Sequence, residues 1–109
     1  MKRFCFALDL QDDPALISEY EFWHRNVWPE IRKSILDAGI TNMEIYRILN
    51  RLFMIMETTD SFDPHAKAQQ DAANPKVQQW EELMWNYQKP LPHAKPGEKW
   101  MPMEKIFQL

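Results

Sequence analysis

Apolar and polar side chains alternate near the start of the chain, which predicts a β-strand with one buried face. Over residues 3–10 the side chains on one face are all apolar: Phe4, Phe6, Leu8 and Leu10. Side chains two positions apart share a face of a strand. The run Asp12-Asp13-Pro14 that follows is typical of a helix start, because an acidic side chain caps free N–H groups and proline fits the first turn.

The pattern then changes to steps of three and four residues, the period of one face of an α-helix. The positions on this face are Ile17, Tyr20, His24, Val27, Ile31 and Ile35. Pro29 lies inside the pattern. It is predicted to kink the helix or divide it in two, because proline lacks an N–H and clashes with the carbonyl four residues before it. Gly39 stands where the C-terminal end of this helical region is expected.

Two more strands are predicted over residues 42–49 and 52–58, joined by a tight hairpin turn at Asn50-Arg51. Residues 62–73 are polar and contain several alanines, so part of this segment is predicted to be helical.

A clear second helix is predicted to begin at Asn74-Pro75. Its core-facing positions are Val77, Trp80, Leu83, Met84 and Tyr87. The proline-rich residues 89–99 are expected to form an ordered loop, and residues 101–109 a last strand with Pro102 near its start.

The predicted order of elements is βαββαβ, which is the ferredoxin-like α+β arrangement of an antiparallel sheet with helices on one face. No internal repeat or low-complexity tract is present, so residues 1–109 are expected to form a single domain. One face of such a sheet stays uncovered. We therefore expect a homodimer, formed through the sheet or as a dimeric α/β barrel.

The composition restricts the class of function. The 109 residues include five Trp, six Phe, three Tyr and seven Met, so a pocket or subunit interface is expected to use part of this apolar surface. The net charge is −3, and without a basic stripe we expect no nucleic-acid partner.

The cysteine count and the apolar runs bear on location. A single cysteine, Cys5, permits neither an internal disulfide nor a CxxC metal site, which favours the cytoplasm. No apolar run approaches the ~20 residues of a membrane span, so no membrane partner is expected. The first ten residues, MKRFCFALDL, alternate too regularly for a signal peptide.

The stretch EYEFWHRNVWPEI, residues 19–31, contains the strongest candidate for chemistry. Tyr20, His24 and Trp28 are four residues apart and are predicted to lie on one helical stripe that faces the sheet. An imidazole with an ordinary pKa near ~6.5 can donate or accept a proton at cellular pH. Spacing alone favours a core histidine bonded to a backbone carbonyl or to Tyr20. No HExxH motif or paired carboxylate accompanies it, so no metal site is predicted.

Spacing alone also leaves open the roles of two residues of the second helix. Periodicity favours a core position for Trp80, and Glu81 would ordinarily be a solvated surface charge. If Trp80 instead faces a pocket, the neighbouring Glu81 could accept hydrogen bonds from a polyol.

The pattern EY-x-x-x-H-x-x-x-WPE, present from Glu19 to Glu30, resembles the L-rhamnose mutarotase family. The hairpin NMEIYRILNRLFMIME and the segment NPKVQQWEELM are similar to that family as well. The resemblance implies a dimeric ferredoxin-like fold and an isomerase that interconverts the α and β anomers of 6-deoxy sugars without a cofactor. It further implies that His24 is the proton donor and that Tyr20 and Trp80 contact a monosaccharide.

Two positions depart from the rhamnose enzymes that this chain resembles. Met43 stands where they have a sugar-contacting tyrosine, and Glu81 where they have a second tryptophan. Loss of an aromatic side chain and gain of a carboxylate change the hydroxyl pattern that fits. The other 6-deoxy sugar handled by relatives of this family is L-fucose, and this sequence looks more like that branch. The resemblance therefore implies L-fucose rather than L-rhamnose as the preferred sugar, with a catalytic His24. The predicted sugar-binding residues are Tyr20, Trp28, Met43, Trp80 and Glu81.

Two other functions fit the same architecture. One is a small dimeric monooxygenase, in which His24 would be an iron ligand or a base. The other is a non-catalytic sensor domain that binds a metabolite at the dimer interface. The WPE group and the segment after Asn74 favour the mutarotase over the monooxygenase.

Overall fold

The computed structural model describes every residue from Met1 to Leu109. Its elements in chain order are β1 Lys2–Leu10, α1 Pro14–Arg25, α2 Pro29–Asp37, β2 Ile40–Ile48, β3 Arg51–Thr58, α3 Pro64–Ala72, α4 Pro75–Trp85, β4 Gln88–Lys89 and β5 Met101–Pro102. The strands form one antiparallel sheet in the order β2-β3-β1-β4, and β5 pairs with β1. This confirms the ferredoxin-like α+β fold. None of the helices combines the length and the apolar character that crossing a membrane requires.

Local chemistry explains why the helices begin where they do. All four have proline in the first turn, where its missing N–H costs no hydrogen bond. Asp13, Asp63 and Asn74 cap three of them by accepting hydrogen bonds from backbone N–H groups, at 2.9 Å from Ala15 in the case of Asp13. The helix starts predicted at Asp13-Pro14 and Asn74-Pro75 are therefore confirmed.

Pro29 divides the first helical region in two, which is one of the two outcomes predicted for it. α1 ends at Arg25, and the Asn26 N–H donates to the Trp23 carbonyl at 3.1 Å. Trp28 is the N-cap residue of α2 and has an extended backbone. The prediction that Trp28 continues the helical stripe of Tyr20 and His24 is therefore wrong, because the chain turns between His24 and Trp28.

The β2–β3 turn lies one residue earlier than predicted. Ile48 pairs with Arg51, so Leu49 and Asn50 form the turn, and Leu49 has a φ of +51°. The Asn50 amide donates to the Leu10 carbonyl at 3.2 Å, and the Leu10 N–H donates to the Asn50 carbonyl at 2.7 Å. These two hydrogen bonds to β1 fix the position of the turn. Arg51, which was predicted to be in the turn, therefore belongs to β3.

The end of the chain also differs from the prediction. The strand predicted over residues 101–109 is limited to the two residues of β5, followed by a hydrogen bond from the Met103 N–H to the Cys5 carbonyl at 2.8 Å. Pro102 has no N–H to extend the ladder. Ile106 and Phe107 beyond it are 92% and 76% exposed. Residues 90–99 form the expected loop, whereas β4 was not predicted.

The helices cover one face of the sheet and enclose two clusters of buried side chains. The first consists of Leu10, Tyr20, Ile31, Leu52, Val77, Trp80, Met84 and Tyr87. The second consists of Ile40, Met54, Met56 and Phe62. Phe4, Phe6, Leu8 and Leu10 all point into this inner layer, as the alternation in β1 predicts.

No helix covers the opposite face of the sheet, which we call the outer face. Its centre is apolar and consists of Cys5, Ala7, Tyr46, Ile48, Phe53 and Ile55. Tyr46 is 53% exposed and Ile48 72%. Ion pairs flank this centre: Asp9 accepts two hydrogen bonds from Arg51 at 2.8 and 3.2 Å, and Glu57 accepts one from Arg3 at 3.1 Å.

Candidate active site

A cavity of about 320 Å³ lies between the sheet and the helices, where the two buried clusters meet. Of the 21 residues that line it, 15 are hydrophobic. The remaining six are His24, Ser34, Lys67, Asp71, Glu81 and Gln88. An apolar cavity with a few convergent polar groups is the usual form of a small-molecule site.

His24 stands at the junction of this cavity with a second cleft. The cleft has a volume of about 460 Å³ and shares His24, Val27, Ile35, Ile40, Met43 and Ile45 with the cavity. Its other side chains, such as Arg32 and Asn42, are exposed. His24 can therefore be reached from solvent even though its ring is largely buried.

The hydrogen bond of His24 determines which ring nitrogen is available for chemistry. Nδ1 lies 2.9 Å from the Tyr20 carbonyl oxygen, one helical turn earlier. A carbonyl can only accept, so Nδ1 carries the proton in the neutral ring. Nε2 is then left with a free lone pair, which is the form of imidazole that acts as a base.

Burial affects the ionisation of His24 and Tyr20 in ways that suit proton transfer. It lowers the pKa of His24 below 6.5, against the smaller effect of the bond to the Tyr20 carbonyl, so the imidazole is neutral at pH 7. Burial raises the pKa of Tyr20 to about 12, although the neighbouring Gln88 side chain acts in the opposite direction. Tyr20 therefore remains a neutral hydrogen-bond donor.

The lowered pKa of His24 predicts a pH dependence of stability. Below pH 6.5 the unfolded chain binds a proton at this position more readily than the folded chain. The contribution of His24 to the free energy of unfolding should thus be fully present above pH 6.5 and fall as the pH drops toward the lowered folded-state pKa. Urea unfolding of the wild type and His24→Gln at pH 7.5 and 5.5 measures this. The wild type should lose more stability than the variant, and equal losses would contradict the lowered pKa.

Aromatic rings fix the position of the imidazole. The Tyr20 ring centroid is 4.3 Å from that of His24, and the Trp80 centroid is 5.8 Å away with the rings nearly edge to face. Trp28 lies behind Trp80, with centroids 5.2 Å apart, and does not line the cavity. Trp28 is thus placed to support Trp80, and its role in sugar binding stays a prediction.

Met43 and Glu81, the two positions expected to depart from the rhamnose enzymes, both line the cavity. Met43 lies on β2 opposite Met56 of β3 and contributes to an apolar wall. The Glu81 carboxylate forms an ion pair with Lys99, whose ammonium also lies 4.5 Å from the Trp85 ring centroid. This contact ties the proline-rich loop to α4 beside the cavity.

The structure adds cavity residues that the sequence did not indicate. Trp100 follows the loop, packs against both buried clusters and lines the cavity. Lys67 and Asp71 form an ion pair at 2.6 Å on α3, a segment predicted only to be helical in part. Gln88 belongs to the two-residue β4, which is too short to have a recognisable period.

Comparison with known proteins places this chain in a family. A family model described as L-rhamnose mutarotase matches residues 3–109. The chain belongs to the L-rhamnose mutarotase family. This membership confirms the predicted resemblance and the prediction of a sugar mutarotase, which is an isomerase, over the monooxygenase and sensor alternatives.

Individual members of this mutarotase family show the same relationship. The whole chain is 51% identical to the L-fucose mutarotase of Xanthomonas campestris, 89% of which is covered. It is 30% identical, over 100% of its length and 99% of the relative, to the L-rhamnose mutarotase of Phocaeicola vulgatus. The crystal structure of an L-rhamnose mutarotase from Formosa agariphila matches with a TM-score of 0.74 at 20% identity, covering 100% of this chain and 99% of that one. This last similarity supports the fold.

Proposed function

We propose that the chain interconverts the α and β anomers of L-fucose in preference to those of L-rhamnose, with His24 as the acid–base group. The observation that carries this proposal is the free Nε2 of a neutral imidazole beside an apolar cavity of about 320 Å³. The reaction needs proton transfer and space for a pyranose, and both are available at this position.

Mutarotation proceeds through the open-chain sugar. His24 Nε2 removes the proton of the anomeric hydroxyl, the bond between C1 and the ring oxygen breaks, and the imidazolium gives this proton to the ring oxygen, which leaves the imidazole neutral again. Rotation about the C1–C2 bond followed by the reverse steps gives the other anomer. A positioned acid or base contributes about 10²–10⁴-fold to such a reaction. Tyr20, neutral because its pKa is about 12, donates a hydrogen bond to the sugar.

The preference for L-fucose is supported by the two departures and by the relatives. The methionines at positions 43, 54 and 56 form a flexible apolar wall that suits the methyl group of a 6-deoxy sugar. Glu81 supplies a carboxylate that is held by Lys99. A second aromatic side chain at this position would accept a different pattern of sugar hydroxyls. Trp80 presents an apolar surface to the C–H groups of the ring. The 51% identity to an L-fucose mutarotase agrees with this choice.

Saturation-transfer NMR tests the reaction and the substrate together. Irradiating one anomeric proton should diminish the signal of the other anomer only when the protein is present. We expect a larger effect with L-fucose than with L-rhamnose at equal concentration. A larger effect with L-rhamnose would reverse the proposed preference, and no transfer with either sugar would contradict the proposed substrates.

We further propose that the chain is a homodimer formed through the outer face. The apolar centre of that face has ion pairs on both sides, which is the pattern of a subunit interface with a polar rim. Ile55 lies on β3 between β1 and β2, in the middle of the sheet. Ile55→Lys should convert the dimer to a monomer in light scattering, whereas Lys33→Ala on α2 should not. A wild-type monomer, or a dimeric Ile55→Lys variant, would contradict this interface.

A further inference from the structure

The helix α3 turns charged side chains toward the interior of the domain. None of its nine residues is buried, and only Ala66, Lys67 and Asp71 are not exposed. A surface helix normally turns apolar side chains inward and charged ones outward. On α3 the inward side consists of an alanine and an ion pair, and both members of that pair line the cavity that contains His24.

The same residue types at the same spacing occur on α2 and show what an ordinary surface pair looks like. The side chains of Lys33 and Asp37 are 75% and 62% exposed and line neither the cavity nor the cleft. Those of Lys67 and Asp71 are only 17% and 30% exposed. Withdrawal of charges from water costs free energy that their pairing returns only in part. The stability of α3 therefore does not explain why this pair lies at the cavity.

The pair keeps unused hydrogen-bonding groups beside the cavity. Lys67 Nζ donates to Asp71 Oδ1 at 2.6 Å, and neither charged group makes another hydrogen bond. An ammonium has three N–H groups and a carboxylate accepts at both oxygens, so several positions remain for a ligand. Asp71 Oδ2 is accessible, because the only side-chain atom that is both sealed from solvent and without a partner belongs to Gln88.

These groups match the chemistry of a sugar. A donor and an acceptor side by side complement two neighbouring hydroxyl groups, of which one accepts and the other donates. The ion pair carries no net charge, so it suits a neutral polyol better than a phosphate or a carboxylate. Hydrogen bonds that involve a charged group are also stronger than those between neutral groups.

We propose that Lys67 and Asp71 form a sugar-binding pair, in which the Asp71 carboxylate accepts a hydrogen bond from one ring hydroxyl and the Lys67 ammonium donates to the next. This assignment rests on the proposed function, since it takes the ligand to be a 6-deoxy pyranose whose anomeric hydroxyl lies at His24. The remaining ring hydroxyls are on C2, C3 and C4. Two neighbours among them always include the hydroxyl on C3, which is therefore one of the two contacts.

Calorimetric binding of L-fucose and 3-deoxy-L-fucose to the wild type and to Lys67→Met/Asp71→Leu tests the assignment. Both side chains are replaced, so no unpaired charge is left at the cavity. For L-fucose, Kd should rise about 10- to 100-fold, the effect of losing hydrogen bonds to charged groups. For the 3-deoxy sugar it should rise only about 3- to 10-fold, because one of the two contacts is already missing.

The exposed pair on α2 provides the matched control. Lys33→Met/Asp37→Leu makes the same two changes there and should bind both sugars as the wild type does. Methionine and leucine are good helix formers, so the α3 variant should fold, which circular dichroism checks. If it does not fold, Lys67→Gln/Asp71→Asn removes both charges with polar side chains, and the same order of effects is expected.

Each other result decides against the assignment. An unchanged Kd for L-fucose would overturn it and leave the proposed function in place. An equal rise for L-fucose and its 3-deoxy analogue would mean that the pair shapes the cavity without contacting the hydroxyl on C3. Absence of L-fucose binding to the wild type would overturn the assignment together with the substrate. Binding of L-fucose without anomer exchange would overturn the proposed reaction alone, and the comparison of Kd values would still decide on the pair.

Discussion

We expect His24→Gln to lower the rate of anomer exchange by about 10²- to 10⁴-fold, the usual contribution of one positioned acid or base. Glutamine can keep a hydrogen bond to the Tyr20 carbonyl, so the variant should fold, but it has no nitrogen that takes up a proton near pH 7. Saturation-transfer NMR with L-fucose, corrected for exchange in buffer alone, measures the change.

His65→Gln is the matched control for this prediction. His65 lies on α3 and is exposed, and it does not line the cavity. Its replacement should leave the exchange rate within about twofold of the wild type, since surface substitutions away from a site have small effects. If His24→Gln retained most of the exchange activity while binding the sugar normally, another group would have to carry the proton.

The second large effect is expected for Trp80→Ala, which should lower the free energy of unfolding by about 3–5 kcal/mol. Trp80 is 7% exposed, belongs to the larger buried cluster and contacts both Trp28 and His24 through its ring. Its removal leaves a large void next to the cavity and frees the imidazole. Urea denaturation, monitored by circular dichroism, measures the loss in the free energy of unfolding. The rate of anomer exchange should fall as well.

Trp85→Ala tests whether burial causes that loss. Trp85 lies on the same helix but is 36% exposed, and its ring contacts the Lys99 ammonium at 4.5 Å. An exposed cation–π contact contributes about 0.5–1 kcal/mol, so this variant should lose little stability. Equal losses for Trp80→Ala and Trp85→Ala would contradict a core position for Trp80.

Features that depend on neighbours in sequence were predicted well. The alternation of β1, the caps at Asp13 and Asn74 and the break at Pro29 all follow from short-range geometry, and the structure has each of them. The ferredoxin-like order of elements follows in turn. The position of His24 on the inner side of α1 could also be deduced, because helical periodicity relates it to Tyr20.

Features that depend on contacts distant in sequence could not be predicted in this way. The turn after β2 is decided by hydrogen bonds between Asn50 and Leu10, 40 residues apart. Gln88 and Trp100 reach the cavity through two-residue strands whose pairing with β1 leaves no pattern in the sequence. Trp28 was misplaced for a related reason, because periodicity does not indicate the direction that the chain takes after a helix ends.

The break before Pro29 has a consequence for the acid–base role proposed for His24. His24 is in the last turn of α1, where the peptide dipoles of a helix leave a partial negative charge. Such a field stabilises a cation by about 0.3–1 kcal/mol. The imidazole is uncharged at rest because it is shielded from water, and the charge of the imidazolium that forms in the proposed reaction would be partly compensated by the helix end. A longer, unbroken helix would place this residue in mid-helix and remove that compensation.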